Sequence, residues 1–560
     1  MTLIDLGAGV TLERAVPLCL SDGTTLYSNH YYPPNRAQSP TLLMRQPYGR
    51  DIASTVVYAH PAFFARHGYN VVIQDVRGRG DSEGLFYPFR HEAQDGAETI
   101  ALLRQRPESN GRIGMYGFSY QGMTQLLAAS LKPEGLQCIA PAQTAHDLYH
   151  GWFYHHGALR LASSLGWGLQ MLKADTRRLN LREASLRLER AWANLPAQYL
   201  VTPYGTHSAI NSENVPTYVT DWFEHPEPGD FWANLDGSQT IANIQIPALH
   251  LSGWFDTYLK GSIDTFQAMS RQTENQHLIA GPWIHIPWGD RIGPTTLGDA
   301  ANLDTDQILL NWFDHWLKDA NTFANEPHIR HYALNEARWH TADTIPTPTQ
   351  TLYLHSEGRA NSSKGNGTLT PNPPTSEEPA DLYIHDPEVP VPAPGGLANA
   401  PGPTNQAALE LGNNLLTYTT EPLTEPLHIF GSIKVSIHLT TSAPTADLAV
   451  KLIHLRPNND AHFISIGIAR SQHLFGPAYT PDQPHLWQFP LEPTSIVFAP
   501  GDRIRIEIAS SAYPLYDRNP GTATPPHLAD SWTWQRSTQI LHHTPTHPSS
   551  IHLPIHKGPA

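Results

Sequence analysis

A serine set between glycines, in the run Gly117-Phe118-Ser119-Tyr120-Gln121-Gly122, is the residue on which covalent chemistry would turn. It follows a short apolar strand, Arg112 to Tyr116, and leads directly into a helical pattern. On a tight strand-to-helix turn, flanking glycines keep side chains off the backbone where the two elements nearly collide, and the hydroxyl is pushed beyond the end of the sheet. The generic hydrolase pattern has its second glycine two residues after the serine; here that place is Gln121 and the glycine is Gly122. So short a motif is common by chance, and its partners must decide. A serine nucleophile needs a base, an acid that orients the base, and donors for the developing oxyanion. Three further strand-like segments end in such residues: Tyr48 in Gln46-Pro47-Tyr48-Gly49, Asp256 in Ser252-Gly253-Trp254-Phe255-Asp256, and His285 in Gly281-Pro282-Trp283-Ile284-His285. In a parallel sheet the carboxyl ends of the strands open on one crevice. The chain order Ser, Asp, His is that of an α/β-hydrolase. Imidazole exchanges protons near neutrality, so His285 is the expected base, with Asp256 holding its tautomer. The Tyr120 backbone N–H and the Tyr48 phenol are the expected oxyanion donors.

The elements that must position these groups follow from the apolar pattern. A leading hairpin over Leu12 to Tyr32 turns at Ser21-Asp22-Gly23. Strands at Thr41–Arg45, Asn70–Asp75, Arg112–Tyr116 and Gln137–Pro141 alternate with helices around Val56 to Arg66, Glu92 to Arg104 and after Ser119, which predicts a parallel sheet covered on both faces. From about Thr144 the rhythm becomes helical, with Leu181, Ala184, Leu188, Ala191, Trp192 and Leu195 on one face. Strands return at Pro247–Gly253 and Gln276–Gly281, and an amphipathic helix over Asp304–Lys318 closes the unit. Beyond Ile345 the chain turns rich in Pro, Thr, Ser and Gly, with short strands at Thr351–His355, Leu427–Leu439, Leu448–His454, Phe463–Ala469 and Asp502–Ala509, and a run at Asn361–Pro379 that reads as a mobile loop. The expected organisation is an α/β-hydrolase domain in two parts, 1–144 and 245–345, a helical cap at 145–244 inserted between them, and a C-terminal jelly-roll β-sandwich at 346–560.

Bulk properties exclude several functions. With 560 residues, about three or four domains are expected. A net charge of -15 and the lack of a basic run disfavour nucleic acid. No stretch approaches the roughly twenty apolar residues of a membrane span. The N-terminus, carrying Asp5 and Glu13, does not read as a signal peptide, so a cytoplasmic location is expected. Cys19 and Cys138 lie far apart and are expected to be plain buried thiols.

Taken together, the motifs resemble those of the bacterial cocaine-esterase-like (CocE/NonD) hydrolases, relatives of X-prolyl dipeptidyl peptidases and α-amino acid ester hydrolases. The residues that carry the resemblance are Gln46 to Gly49, the loop Gln74-Asp75-Val76-Arg77-Gly78-Arg79-Gly80-Asp81-Ser82-Glu83-Gly84, Gly117 to Gly122, Gly253 to Asp256 and Gly281 to His285. It runs on through Trp312 to Lys318, Asp386-Pro387, Pro390 and Gly395-Gly396 to Ser510-Ser511 and Tyr516 to Asn519, nearly the whole chain. The displaced Gly122 matches this family's Gly-x-Ser-Tyr-x-Gly turn. The resemblance implies the same three-part architecture, Ser119, Asp256 and His285 as triad, and Tyr48 and Tyr120 at the oxyanion. It also maps the cap aromatics facing the acyl pocket onto Trp152 and Trp167, residues that could equally be ordinary cap core.

Asp264 lies near Asp256 but falls inside a helical segment, so Asp256 is the preferred acid. His146, Asp147, His150, His155 and His156 crowd the start of the cap; two stand four apart, as metal ligands can, but no third ligand has suitable spacing, and neither metal nor cofactor is expected. Arg77 and Asp75 read as structural, because the Gly-rich loop lacks the Lys-Ser/Thr ending of a phosphate cradle. The expected function is a serine esterase acting on a small-molecule acyl ester; a homo-oligomer is compatible with such a chain. The alternatives are peptide or amide cleavage, as by an X-prolyl dipeptidyl peptidase or β-lactam acylase, a biosynthetic acyltransferase or cyclase, and a carbohydrate-binding protein with a relict hydrolase domain. Dipeptidyl cleavage would call for an acidic or otherwise amine-binding pocket in the cap, and His146 to His156 is rich in His and aromatics with only Asp147 acidic.

Overall fold

The computed structural model describes residues 3–36, 38–51, 55–396 and 401–557. The hairpin Thr11–Cys19 and Thr25–Tyr32 leads an eleven-stranded sheet. From Asn70–Asp75 the strand order runs through Ser39–Gln46, Ser109–Phe118, Leu136–Ala142, Ala248–Phe255 and Gln276–Ile284 to Ile329–Ala333. Every pairing along that path is parallel, and Arg338–Ala342 closes the edge antiparallel. A parallel sheet needs strands apolar on both faces, and Ser39–Gln46, Asn70–Asp75 and Ala248–Phe255 are buried at every residue. Side chains alternate between faces. Met115 therefore packs into one core with Leu126 of helix Tyr120–Ser130 and Ile100 of helix Glu92–Arg104. Its neighbour Tyr116 packs into the other, with Leu309, Trp312 and Phe313 of helix Thr305–Lys318. That helix starts where Asp304 accepts from the Gln307 N–H at 3.0 Å, one of the donors a helix leaves unpaired.

Leu136–Ala142 and Ala248–Phe255 are neighbours in the sheet, so the intervening helices, among them Leu161–Arg178 and Arg182–Ala193, are an insertion. Ala184, Leu188 and Ala191 are buried as the periodicity expects, but Trp192 is 37 % exposed. One residue past Ala191 is a turn of about 100°, which carries the indole to the margin of the face, where the Lys173 ammonium lies 4.8 Å from its ring. The first helix is also shorter than expected, Ala62–Arg66. Pro61 stands at its start because proline lacks the N–H that a helix interior uses. Cys19, expected buried, is exposed; Cys138 is buried.

A second sheet begins at Gln350–His355, is largely antiparallel, and shares one apolar core between its two ends, with Tyr383 and Leu541 from one and Leu448 and Ile466 from the other. The stretch read as one strand, Leu427–Leu439, is two: Leu427–Gly431 pairs with Thr494–Phe498, and Lys434–Thr441 enters the large sheet. The break falls at Gly431, whose φ of 113° lies in the region glycine alone adopts freely. The Asn361–Pro379 run carries strand Thr368–Thr370, paired with Tyr353–His355, and the Asn361 amide donates to the Leu382 carbonyl at 2.7 Å.

The inserted layer and the second sheet meet around Glu492. Its carboxylate lies 2.6 Å from the Arg160 guanidinium and 3.0 Å from His155 Nε2, and all three side chains are at most 4 % exposed. Removing one member of a buried ion pair leaves an uncompensated charge, so Glu492→Ala should cost about 3–5 kcal/mol. Urea unfolding checks this; a loss below about 1 kcal/mol would show that the pair is not a desolvated unit.

Candidate active site

Ser119 stands at φ 61°, ψ −128°, between strand Ser109–Phe118 and helix Tyr120–Ser130. A positive φ at a serine is strained and persists only where the surroundings enforce it. Enforcement comes from both sides: the Ser119 N–H donates to the Ala142 carbonyl at 2.9 Å, and the Ser119 carbonyl accepts from Gly122 and Met123 at 2.9 and 3.1 Å. The glycines are steric requirements. A Cβ at Gly117 would lie 2.5 Å from the Gln121 Cβ, and one at Gly122 would lie 2.7 Å from the Thr144 side chain. This explains the displaced glycine, since position 122 faces the next strand's end while Gln121 uses its side chain to accept from the Phe118 N–H at 3.2 Å. Tyr120 opens the helix, so its N–H is one of the donors that a helix leaves without an internal partner.

Asp256 and His285 follow the ends of the adjacent parallel strands Ala248–Phe255 and Gln276–Ile284. His285 Nδ1 lies 2.7 Å from Asp256 Oδ2. Asp256 is fully buried, and its other oxygen accepts from the Tyr258 N–H at 2.9 Å. The imidazole is bounded by the rings of Phe118 and Tyr258, each with its centroid 5.3 Å away. Its side chain retains 29 % exposure, which leaves Nε2 within reach of a reactant. Asp264 lies on helix Leu259–Ser270, ion-paired with Lys260.

The Tyr48 phenol interacts with the Ser119 hydroxyl and accepts from the Trp167 indole N–H at 3.2 Å. Burial raises its pKa above the ordinary value, more than the contacts with Trp167 and Ser119 lower it, so at neutral pH the phenol keeps its proton. A relay of side chains fixes its loop. Asp75 accepts from Gln46 Nε2 at 3.0 Å, and Gln46 Oε1 accepts from the Tyr48 N–H at 2.6 Å. Asp75 also takes the Arg50 guanidinium at 2.5 Å, yet burial still pushes its carboxyl up to about 6. The Gly-rich loop makes room for that carboxylate: a Cβ at Gly80 would come within 2.0 Å of Asp75 Oδ2. Arg77 in the same loop is held by Asp95 and Asp22, a structural role as its sequence context implies.

The Tyr120 side chain points away from this chemistry. Its hydroxyl donates to Glu92 at 2.7 Å and accepts from the Phe89 N–H at 3.0 Å, leaving only its backbone for an oxyanion. Trp152 is 2 % exposed and stacks on Tyr258 at 3.8 Å; Trp167 is partly buried, stacks on Trp222 at 5.3 Å and reaches Tyr48. Phe89 lies against Tyr120, Trp152 and Trp167 and was not singled out in the sequence. Nor was Tyr258, although its place two residues after Asp256 was a usable signal. Among the cap histidines, His146 pairs with Thr265, His150 with Asp147, and His155 with Tyr516 and Glu492, while the rings of His150 and His156 both approach His473, at 6.2 and 6.1 Å.

Residues 22–287 match the family model of the X-Pro dipeptidyl-peptidase (S15 family), and residues 321–552 that of the X-Pro dipeptidyl-peptidase C-terminal non-catalytic domain. The cocaine esterase of Rhodococcus sp. (strain MB1 Bresler) is 30 % identical over 585 residues, covering 99 % of this chain and 100 % of that protein. Among solved structures, an α-amino acid ester hydrolase aligns with a TM-score of 0.78 at 25 % identity, covering 99 % of this chain and 98 % of the other. An aminopeptidase from a marine sediment archaeon, Thaumarchaeota archaeon, shares the fold with a TM-score of 0.81 at 24 % identity, covering 97 % and 96 %. On its full-length similarity and its two matched domains, the chain belongs to the cocaine-esterase-like (CocE/NonD) family of serine hydrolases.

Proposed function

We propose that Ser119, His285 and Asp256 are the catalytic triad with which this chain hydrolyses carboxylic esters of small molecules, with Tyr48 and the Tyr120 N–H as the oxyanion donors. The observation that carries the reading is the 2.7 Å contact between His285 and a fully buried Asp256, on the same strand-end edge as the strained serine. In acylation, Ser119 Oγ attacks the ester carbonyl as its proton passes to His285 Nε2. The carbonyl oxygen takes the negative charge beside the two donors; the carbon–oxygen bond to the alcohol then breaks, and the alcohol leaves with the proton from Nε2. Water, deprotonated by Nε2, attacks the acyl carbon, and Ser119 departs with its proton restored. Asp256 keeps Nδ1 protonated and offsets the imidazolium charge throughout. Trp152, Trp167 and Phe89 give the acyl group an aromatic wall.

An ester is favoured over a dipeptide because Asp147, the acidic group at the start of the cap, is already satisfied by the His150 side chain at 2.8 Å and its N–H at 2.9 Å. The chain is thus an ester-cleaving serine hydrolase. No helix among the described residues is long and apolar enough to cross a membrane.

A fluorophosphonate should label Ser119 in the folded protein and fail to label Ser119→Ala; absence of label on the wild type would overturn the assignment. Tyr48→Phe removes one oxyanion donor and should lower kcat on p-nitrophenyl esters by ~10²–10³-fold with little change in KM. Asp256→Asn should lower kcat by up to ~10⁴-fold, because the imidazole is then held in the wrong tautomer. A phenol stops donating once it ionises, and burial moves that event to higher pH than the free value of about 10. The wild-type pH–kcat profile should therefore show no falling limb below about pH 9 that disappears in Tyr48→Phe.

A further inference from the structure

Four imidazoles gather where the edge of the first sheet meets the second unit. His331 and His340 are register partners on the antiparallel strands Ile329–Ala333 and Arg338–Ala342, with ring centroids 5.7 Å apart. His428 comes from strand Leu427–Gly431, and His556 from the segment after Ser550–Leu553, whose backbone is fixed by the His556 N–H donating to the His428 carbonyl at 2.9 Å. The His428 ring is 4.9 Å from His340 and 4.8 Å from His556. One coordinating atom from each of His340, His428 and His556 lies within 4.8 Å of the other two, the one such trio among the described residues. The buried Nε2 atoms of His331 and His556 have no hydrogen-bond partner.

We propose that His340, His428 and His556 bind a divalent transition-metal ion of the zinc type, which fastens the second unit to the edge of the hydrolase sheet. Imidazoles packed this closely repel one another if several are protonated; as neutral rings they offer converging lone pairs, the donor type that selects Zn²⁺, Co²⁺, Ni²⁺ or Cu²⁺ over Mg²⁺ and Ca²⁺. The surroundings supply what such ligands need. Glu336 accepts from His340 Nε2 at 2.6 Å, which orients the ring and reserves Nδ1 for a metal. The Ser495 hydroxyl lies 3.0 Å from His428 Nε2 and 2.8 Å from His331 Nδ1. Metal–nitrogen bonds of about 2.0–2.1 Å in a tetrahedron bring donors to roughly 3.3 Å of one another, so the rings must close in by small side-chain rotations. His556 has room for this, since it lines an open groove with Thr341, Asp343, Thr344 and Lys557. A water or the unpartnered His331 Nε2 completes the coordination. Arg338, ion-paired to Glu336 at 3.3 Å, and Lys557, beside His556 in the groove, are nearby cations that the site must tolerate. No ligand comes from the elements that carry Ser119, Asp256 or His285, so the ion's part is structural.

The test uses the full-length protein without a polyhistidine tag, stripped with a chelator and titrated with Co²⁺ by visible absorption and with Zn²⁺ against a chromophoric chelator. A single tight site with the intense bands of tetrahedral Co²⁺ is expected. It should be lost in His428→Gln and in His556→Gln, the latter outside the strands and only partly buried, and so the safer variant for folding. Glu336→Gln should bind ~10–100-fold more weakly. Zn²⁺ should raise the thermal midpoint of the wild type and not of His556→Gln, while p-nitrophenyl ester hydrolysis at 25 °C stays unchanged in that variant. Absence of the Co²⁺ bands, or equal Zn²⁺ affinity in wild type and His556→Gln, would overturn the site.

Discussion

A serine held at φ 61° is the constraint on which the rest of the hydrolase unit depends. Such a backbone conformation costs of order 1–3 kcal/mol, and the surroundings oppose its relaxation on every side. The Ala142 carbonyl holds the serine N–H from the neighbouring strand, the helix behind it captures the serine carbonyl, and Gly117 and Gly122 occupy the two places where a side chain would force elements apart. The strain turns the hydroxyl out of the sheet, where the neighbouring strand ends can meet it.

The same logic of support extends outward. Tyr48 is placed by Gln46, Gln46 by Asp75, and Asp75 by Arg50 and by Gly80, which leaves it room. From the same loop Arg79 reaches across to the inserted layer, contacting the Met171 carbonyl at 3.4 Å and Asp175 at 3.3 Å, with its guanidinium 3.7 Å above the Phe86 ring. The inserted layer is tied in turn to the second unit through Arg160 and Glu492. The inserted layer is thus anchored on both sides by buried charge pairs, in which loss of one partner leaves the other charge uncompensated.

Much of this was legible in the sequence, for an identifiable reason. Tyr48, Ser119, Asp256 and His285 each follow a short apolar run, and a parallel sheet brings such ends together whatever lies between them. Gly122 was readable as a family mark, but its cause, the approach of Thr144, is a contact between elements. Phe89 gave no signal: its positive φ of 69° and its stacking on Tyr120 come from a loop pinned by the Tyr120 hydroxyl. Leu427–Leu439 looked like one strand because its apolar pattern is continuous, and only the sheets on either side of Gly431 divide it. The histidine cluster was invisible because its members lie on separate strands and gather only when the two units meet.

The most direct measurement is to catch the acyl-enzyme. Quenching the protein in acid within milliseconds of mixing with a slowly deacylating aromatic ester, then mapping the modified peptide by mass spectrometry, should place one acyl group on Ser119 and release one equivalent of alcohol in the burst. A burst with the acyl group on another residue, or steady turnover with no covalent species under conditions where deacylation is slow, would contradict the account.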